Sequence, residues 1–370
     1  MNVKLGKRTL ATQAIIVGVV ALFLVSLYFL MGFDAHLHPE DNAPKGYDNT
    51  ATFFYQWYWL FAGVFLLLLV LYSVWGVIQG FKNKECIPVK IADKTKKYGF
   101  LLGQLVGRDF KSKYKRSFLG IFWSFLNPLM MMGVQYIIFS KLFGNASIIN
   151  FPVYLLIGVV FFSFISESSN NGLVSITANA TLINKVYVPK YIYPISKLLS
   201  SAINFSISLV PLLIIVLITQ IPGATWPTDP GTFITLIIGC IVLFSMAVLL
   251  LFAFALGLSM LLSTIMVFFR DIQFLWGVLV TIWMYGTPIF YSIKTVDPEG
   301  HRFVEPNSLP WIVINCNPLY HFIDFTREIF IYGRCPNIVT IGICALAAVV
   351  MLALGASVFR WKQDKFVLYI

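Results

Sequence analysis

A cluster of five basic side chains lies in residues 98–116, directly before a long apolar stretch. Arg108, Lys111 and Lys115 are spaced by three and four residues, so a helix would carry them on one side and apolar residues on another. A basic amphipathic helix of this kind is typical of segments that lie along the inner membrane surface, where lipids are anionic. The alternative is a charge cluster that only fixes the topology of the following span.

Glu167 is the one acidic residue at membrane depth, at the predicted cytoplasmic end of a membrane span. A charged group at that depth is costly and often functional. The alternative is a glutamate near the inner interface, hydrogen-bonded to neighbouring Ser and Asn side chains. A single acid of this kind argues against a proton-coupled transporter, which usually needs several ionisable groups within the membrane.

The sequence lacks the common motifs for nucleotide binding and for catalysis. There is no GxxxxGK[ST] loop to bind nucleotide phosphates, and there is no HExxH, CxxC or GxSxG motif. His36 and His38 share a segment with three acids and could ligate a metal, although a solvated polar loop is the favoured interpretation. Cys316 and Cys335 could pair, although free thiols are the default.

The composition indicates the class of protein that must position these residues. The chain has 370 residues, 58% hydrophobic and 12% charged, against a charged fraction of about 25% in soluble domains. This excludes a soluble enzyme and predicts an all-α polytopic membrane protein. A membrane-spanning helix needs about 20 mostly apolar residues. Eight uncharged runs are long enough: 9–33, 49–81, 117–140, 142–166, 198–228, 230–269, 272–293 and 335–359.

The basic residues are distributed asymmetrically between the two sides of these spans. With the N-terminus in the cytoplasm, the inner segments hold 21 of the 27 Lys and Arg residues and a net charge of +16, against −4 outside, and Glu167 at membrane depth adds −1. The positive-inside rule therefore predicts that both termini are cytoplasmic, and it explains the net charge of +11 without nucleic acid. The first apolar run lacks a clear cleavage site, so we predict a retained helix rather than a signal peptide.

The predicted spans divide the chain into two parts. Residues 1–90 form a two-span hairpin with its linker, and residues 91–370 form a six-span body. The uncharged gap between Glu305 and Asp324 contains several Pro and Asn residues, which predicts two short helices instead of a full crossing.

Four segments of residues 91–370 resemble segments that occur in the same order in one protein family. They are RDFKSKYKRSFLGIFWSFLNPLMMM, FPVYLLIGVVFFSFISESSNNGLVSITANATLINKVYVPKYIYPIS, VFFRDIQFLWGVLVTIWMYGTPIFYS and NPLYHFIDFTREIFIYG. They resemble the ABC-2-type permeases that export O-antigen, capsule and teichoic acid. The resemblance covers roughly residues 98–362 and implies a six-span permease body with an interfacial helix and re-entrant helices outside the membrane.

The resemblance implies a permease and not an enzyme. Two copies would form a homodimer, and two copies of a separate ATPase subunit would bind ATP and Mg, leaving this chain without a cofactor or catalytic residue. A cytoplasmic coupling segment would contact the ATPase, the alternative being an ordinary loop. The residues that match this segment are Leu182, Ile183, Asn184, Lys185, Val186 and Tyr187.

The resemblance also implies a path for a lipid-linked glycan. Its pyrophosphate would be bound at the start of the path by the bases Arg108, Lys111, Lys113, Lys115 and Arg116. Aromatic rings along the pathway would be Phe122, Trp123, Phe274, Trp276, Trp283, Tyr285 and Tyr291. At the exit, a re-entrant helix pair would carry His321, Asp324, Arg327 and Glu328, the alternative being a polar loop helix.

Other functions remain open at this point. An ABC-2-type exporter of a small lipid or drug has the same architecture, and an integral-membrane glycosyltransferase could use His321, Asp324 and Glu328. We expect a multi-pass protein of the bacterial or archaeal cytoplasmic membrane. The sequence does not identify the glycan, its lipid carrier, the presence of an outer membrane or the role of residues 1–90.

Overall fold

The computed structural model of the protein describes most of the second part of the chain. The residues described are 87–115, 117–142, 148, 150–185, 188–220, 230–293, 304–305, 308–331 and 336–369. Their regular structure is helical and contains no strand, which confirms the all-α prediction.

The chain forms two compact units. One comprises residues 1–104 with 231–243, and the other comprises residues 105–230 with 244–370. Every polar cluster described below belongs to the second unit. The predicted boundary near residue 90 stays a prediction, since residues 1–86 lie outside the described part.

The α-helices of the described residues are numbered here in chain order. They are α1 (Ile87–Tyr114), α2 (Phe122–Leu142), α3 (Phe151–Leu173), α4 (Ala180–Lys185), α5 (Ile192–Gln220), α6 (Pro230–Phe268), α7 (Ile272–Gly286), α8 (Leu309–Asn315), α9 (Pro318–Phe330), α10 (Ile338–Lys362) and α11 (Phe366–Tyr369). Short 3₁₀ turns precede α4 and α11, at Thr177–Asn179 and Gln363–Lys365.

Five of these helices are long and apolar enough to cross a membrane. Their spanning segments are Phe122–Ser140, Phe151–Leu173, Ile192–Thr219, Cys240–Phe268 and Val339–Lys365. They confirm five of the predicted spans. The predicted spans 9–33 and 49–81 lie outside the described residues, so the total of eight stays a prediction.

The predicted span 272–293 is not confirmed as a full helical crossing. The helix there, α7, ends at Gly286 after 15 residues, which gives a length of about 22 Å against a hydrocarbon core of about 30 Å. Thr287 is extended, with φ −102° and ψ 129°. Pro288 follows it, and a proline pushes the preceding residue out of the helical region.

Helix α3 is the most enclosed of the five spanning helices. Most of its length is buried within the chain, mainly against α5 and α2. Phe164 of α3 meets Phe205 of α5 and Phe252 of α6, with ring centroids 4.7 and 4.9 Å apart. Aromatic contacts of this type contribute roughly 0.5–1.5 kcal/mol each beyond the burial of area. This packing makes α3 the fixed element against which the polar residues are placed.

Two glycines are required by the geometry. Gly120 has φ 51°, a left-handed conformation that favours glycine, and it turns the chain between α1 and α2. At Gly355 of α10, a Cβ atom would lie 2.0 Å from the carbonyl oxygen of Gly257 in α6. The absence of side chains lets these two backbones approach closely, as small residues do at helix crossings in membranes.

Candidate functional site

The interfacial helix prediction agrees with an observed helix, but the helix begins earlier. α1 runs from Ile87 to Tyr114 and so includes part of the predicted linker. Lys115 follows its last turn, and Arg116 lies outside the described residues. The location of α1 at a membrane surface stays a prediction.

Arg108 of α1 is held by residues of the same chain. Arg108 Nη2 lies 3.0 Å from Asp109 Oδ1 and donates to Asn179 Oδ1 at 3.0 Å. The other carboxylate oxygen of Asp109 lies 2.8 Å from Lys197 Nζ at the start of α5. Asn179 is buried in the 3₁₀ turn and also donates to Ser175 O at 2.8 Å. Arg108 therefore connects α1 to the turn that immediately precedes α4.

The second connection is made around Glu167 of α3. Lys113 Nζ lies 2.8 Å from Glu167 Oε1, which also accepts a hydrogen bond of 2.6 Å from Asn204 Nδ2 in α5. Tyr114 donates to Asn204 Oδ1 at 2.8 Å and bonds the hydroxyl of Ser124 in α2. We call these five residues the Glu167 cluster. Its partners come from α1, α2 and α5 and not from the Ser and Asn residues next to Glu167 in the sequence.

The Glu167 cluster is only partly removed from solvent. The side chains of Lys113 and Glu167 are 45% and 30% exposed, so water or an anionic group can reach the pair. Lys111 and Lys115 are exposed as well. Of the five bases predicted to bind pyrophosphate, Arg108 and Lys113 already face intrachain oxygen atoms, whereas Lys111 and Lys115 extend from the surface.

The predicted coupling segment contains a short helix. α4 comprises Ala180–Lys185, and none of its six residues, all of them described, is buried. Leu182 and Ile183 are half-buried, while Asn184 and Lys185 are exposed. Val186 and Tyr187 lie outside the described residues. A helix this exposed can accept a partner protein, but the role of the segment in ATPase coupling stays a prediction.

The predicted pathway aromatics lie in different environments. Trp276 is buried and donates its indole N–H to Ser169 Oγ at 3.2 Å. Trp283 and Tyr291 are half-buried. The remaining rings extend from the surface of the chain, with exposures between 49% and 77%: Phe122, Trp123, Phe274 and Tyr285. Trp276 is therefore a packing residue of this chain, while the exposed rings are accessible to lipid, a second copy or a substrate.

The predicted pair of short helices is present, as α8 and α9, and Asn317 fixes the junction between them. Its Oδ1 accepts from the Leu319 amide at 3.1 Å and from Trp283 Nε1 at 2.8 Å. Its Nδ2 donates to Thr287 Oγ1 at 2.8 Å. This one side chain therefore caps α9 and ties it to the end of α7. Whether α8 and α9 re-enter a membrane stays a prediction.

The four predicted exit residues are all buried: His321, Asp324, Arg327 and Glu328. A solvated polar loop helix does not fit this burial. His321 Nε2 bonds the carbonyl of Asn315 at 2.8 Å, which closes the turn between α8 and α9. The side chains thus belong to the interior of the chain.

Arg327 is held by backbone carbonyls. It donates to Pro288 O at 2.9 Å, Tyr154 O at 3.1 Å and Ile289 O at 3.3 Å. Its guanidinium lies 3.3 Å from the centroid of the Tyr154 ring, whose hydroxyl donates to Tyr291 O at 2.7 Å. We call these five residues the Arg327 clamp. It satisfies carbonyls in the non-helical chain after α7, where no helical partner exists.

Several residues that contact the predicted site residues were not predicted from the sequence. Asp109, Lys197 and Asn204 complete the inner contacts, and Tyr154 and Asn317 complete the outer ones. The one available signal was polarity within an apolar run, which Asn204 shows. It marks a residue that needs a partner but does not identify that partner.

The predicted metal site and cysteine pair fall wholly or partly outside the described residues. Within the described residues, no group of three or more His, Cys, Asp or Glu side chains could hold a metal ion. His36 and His38 lie outside them. Cys316 is an exposed thiol, and its suggested partner Cys335 is also outside the described residues, so their pairing stays open.

Comparison with known proteins identifies the family. Residues 101–331 match the ABC-2 type transporter family. The chain is 30% identical to an O-antigen export system permease protein of Myxococcus xanthus, over 75% of this chain and 98% of that protein. It is 29% identical to one from Klebsiella pneumoniae, over 72% and 93%.

A more distant similarity points in the same direction. The chain is 22% identical to a polysialic acid transport protein of Escherichia coli, over 70% of this chain and 91% of that protein. The family is the permease component of ABC transporters, which are membrane-embedded and work with a separate ATPase, and it is not an enzyme family. The chain belongs to the ABC-2 type transporter family.

Proposed function

We propose that this chain is the permease subunit of an ATP-driven exporter that moves a lipid-linked polysaccharide across the bacterial cytoplasmic membrane. The observation that carries the proposal is that relatives named for O-antigen export align over nearly their whole length. The missing nucleotide-binding loop in the sequence fits a partner that supplies ATP hydrolysis. A homodimer with two ATPase subunits and cytoplasmic termini completes the proposal.

The proposed site for the lipid-linked pyrophosphate lies at the C-terminal end of α1. Lys111 and Lys115 are exposed there, and each base near a membrane surface contributes about 1 kcal/mol toward an anionic group. Lys113 lies between them and is paired with Glu167 at 2.8 Å in a partly exposed position. A pyrophosphate can therefore compete with the carboxylate for this base, which would couple binding to a change in the Glu167 cluster.

The proposed ATPase contact is α4. Its exposed Asn184 and Lys185 and half-buried Leu182 and Ile183 offer both polar and apolar groups to a groove on the partner. The glycan would then pass along exposed aromatic rings, on which sugars stack weakly and repeatedly. Phe122, Trp123, Phe274 and Tyr285 are the accessible members of the predicted set that support this path.

Deletion and complementation of the gene provide the direct test. On deletion we expect loss of surface polysaccharide and accumulation of lipid-linked glycan at the cytoplasmic face of the membrane, and the intact chain should restore export. Unchanged polysaccharide with a new drug or lipid sensitivity would instead identify the small-molecule exporter.

The paired variants Lys115→Gln and Arg360→Gln sharpen the test, because both remove one exposed base. If pyrophosphate binds beside α1, only Lys115→Gln lowers export. Equal export by both variants would remove the proposed lipid site but not the permease function.

A further inference from the structure

Helix α4 cannot hold its own position. It has six residues, well below the length of about 12–15 at which isolated helices become even marginally stable in water. None of these six described residues is buried, so packing of α4 itself contributes little. Its orientation must therefore be determined by the chain on either side.

The preceding side is fixed by contacts already described. Buried Asn179 receives a hydrogen bond from Arg108 and donates to Ser175 O. This fixes the 3₁₀ turn from which α4 emerges. The corresponding question is what fixes the residues that follow α4.

The following side is fixed by the C-terminal segment, Gln363–Tyr369. Lys190 Nζ donates to the carbonyl of Gln363 at 2.5 Å and lies 5.7 Å from the centroid of the Phe366 ring. Burial lowers the pKa of Lys190, and the negative charge of Asp364 opposes that effect. The lysine is thus half-buried between two segments that are distant in sequence.

The C-terminal segment is itself firmly packed. Phe366 is fully buried, and its ring lies 6.1 Å from Phe268 at the end of α6 and 5.3 Å from Phe359 in α10. Tyr369 lies 4.9 Å from Phe268 as well. The segment returns to the helix ends after α10 and so offers Lys190 a fixed carbonyl and a fixed aromatic ring.

We infer that the C-terminal segment is a positioning element for α4, acting through Lys190 and Phe366. Lys190 and Phe366 hold the exit of α4 just as Arg108 and Asn179 hold its entrance. Lys190 and Phe366 are positioning residues that need not touch a substrate or the ATPase. The functional consequence, a properly presented ATPase contact, rests on the proposed function of α4.

Hydrogen–deuterium exchange of the full chain in lipid nanodiscs tests the inference without assuming any activity. Lys190→Gln removes the charge-assisted hydrogen bond, and Phe366→Ala releases the segment. Loss of such a bond corresponds to roughly a tenfold change in a local opening equilibrium, so exchange in residues 180–190 should rise about tenfold in both variants. Leu368→Ala is the matched control in the same segment, because Leu368 is 81% exposed.

The outcomes separate cleanly. The inference would be overturned by unchanged exchange in residues 180–190 for Lys190→Gln. It would also be overturned if Phe366→Ala raised exchange in residues 363–369 but not in residues 180–190. Residues 151–165 of the buried helix α3 report on general unfolding, and if Phe366→Ala raises exchange there, Lys190→Gln alone decides. Binding of the purified ATPase is measured in parallel. Faster exchange with unchanged ATPase binding would support positioning and refute α4 as the ATPase contact.

Discussion

The Glu167 cluster and the Arg327 clamp are both polar groups set among apolar helices, but they are built differently. In the Glu167 cluster, side chains bind side chains, and Lys113 and Glu167 remain partly exposed. In the Arg327 clamp, one side chain binds three backbone carbonyls, and Arg327 is 3% exposed. The first arrangement is open to an exchange of partners, whereas the second is enclosed within the chain.

This difference follows from what each cluster satisfies. The end of α7 leaves carbonyls at Pro288 and Ile289 without helical donors, and in an apolar environment each unsatisfied group costs several kcal/mol. Arg327 supplies those donors. Glu167 and Lys113 supply charge to each other and to no backbone group in these contacts. We therefore expect the Arg327 clamp to stabilise the folded chain and the Glu167 cluster to allow an exchange of partners.

The largest expected effect is from removal of the clamp. Arg327→Met deletes the guanidinium donors to three carbonyls. Pro288 O keeps only a long hydrogen bond of 3.4 Å from the Tyr154 hydroxyl, and each buried carbonyl left unsatisfied costs about 1–3 kcal/mol. The apparent melting temperature in detergent should fall by about 10 °C or more, with poor yield. Arg360→Met is the control, because Arg360 is exposed. Equal melting temperatures for the two variants would contradict the folding role of the clamp.

The second effect tests the same region at the junction of α8 and α9. Asn317→Ala removes the cap of α9 together with the bonds to Trp283 and Thr287, and caps alone contribute about 1 kcal/mol. We expect a loss of roughly 2 kcal/mol, measured as a smaller melting shift than that of Arg327→Met. Asn337→Ala is the control, since Asn337 caps α10 at an exposed position. A shift no larger than that of this control would show that the link to α7 adds nothing.

How far the sequence could predict these regions depends on whether the signal is local. Hydropathy predicted five spanning segments, and Pro and Asn residues predicted the pair α8 and α9, because these properties act within a few residues of the chain. The end of α7 had a local signal too. Pro288 follows Thr287, but the uncharged run around it hid the break.

The contacts within the clusters had no local signal. Lys113 and Glu167 are 54 positions apart, and Arg327 and Tyr154 are 173 apart. Hydrophobic periodicity indicates that a polar residue faces inward but carries no information about which distant residue it meets. For this reason the sequence indicated Arg327 as a candidate exit residue, but not that its guanidinium donates to backbone carbonyls.

The third effect concerns the exchange of partners in the Glu167 cluster. Glu167→Gln should lower the free energy of unfolding by only about 1 kcal/mol, since the pair is partly exposed. The melting shift should shrink at high ionic strength because salt screens exposed charges, whereas the shift of Arg327→Met should not. Measuring both shifts at low and high salt checks this. Identical salt dependence would remove the distinction between the two regions.

The smallest expected effect on stability belongs to a charge swap in the Glu167 cluster, and this swap also tests export. The charge-swapped pair Lys113→Glu with Glu167→Lys keeps the attraction, so its melting temperature should lie above those of both single variants, by a coupling of about 0.5–1 kcal/mol. If the cluster only holds α1 in place, export should recover with stability. If Lys113 also receives the pyrophosphate, export should stay low, because the swap places a carboxylate at that position of α1. Surface polysaccharide measured in the two single variants and the double variant distinguishes these outcomes, with Lys111→Glu as the control for added negative charge on the same helix. Full export by the double variant would show that the Glu167 cluster only holds the helices together, and the lipid site would then depend on Arg108, Lys111 and Lys115 among the described bases.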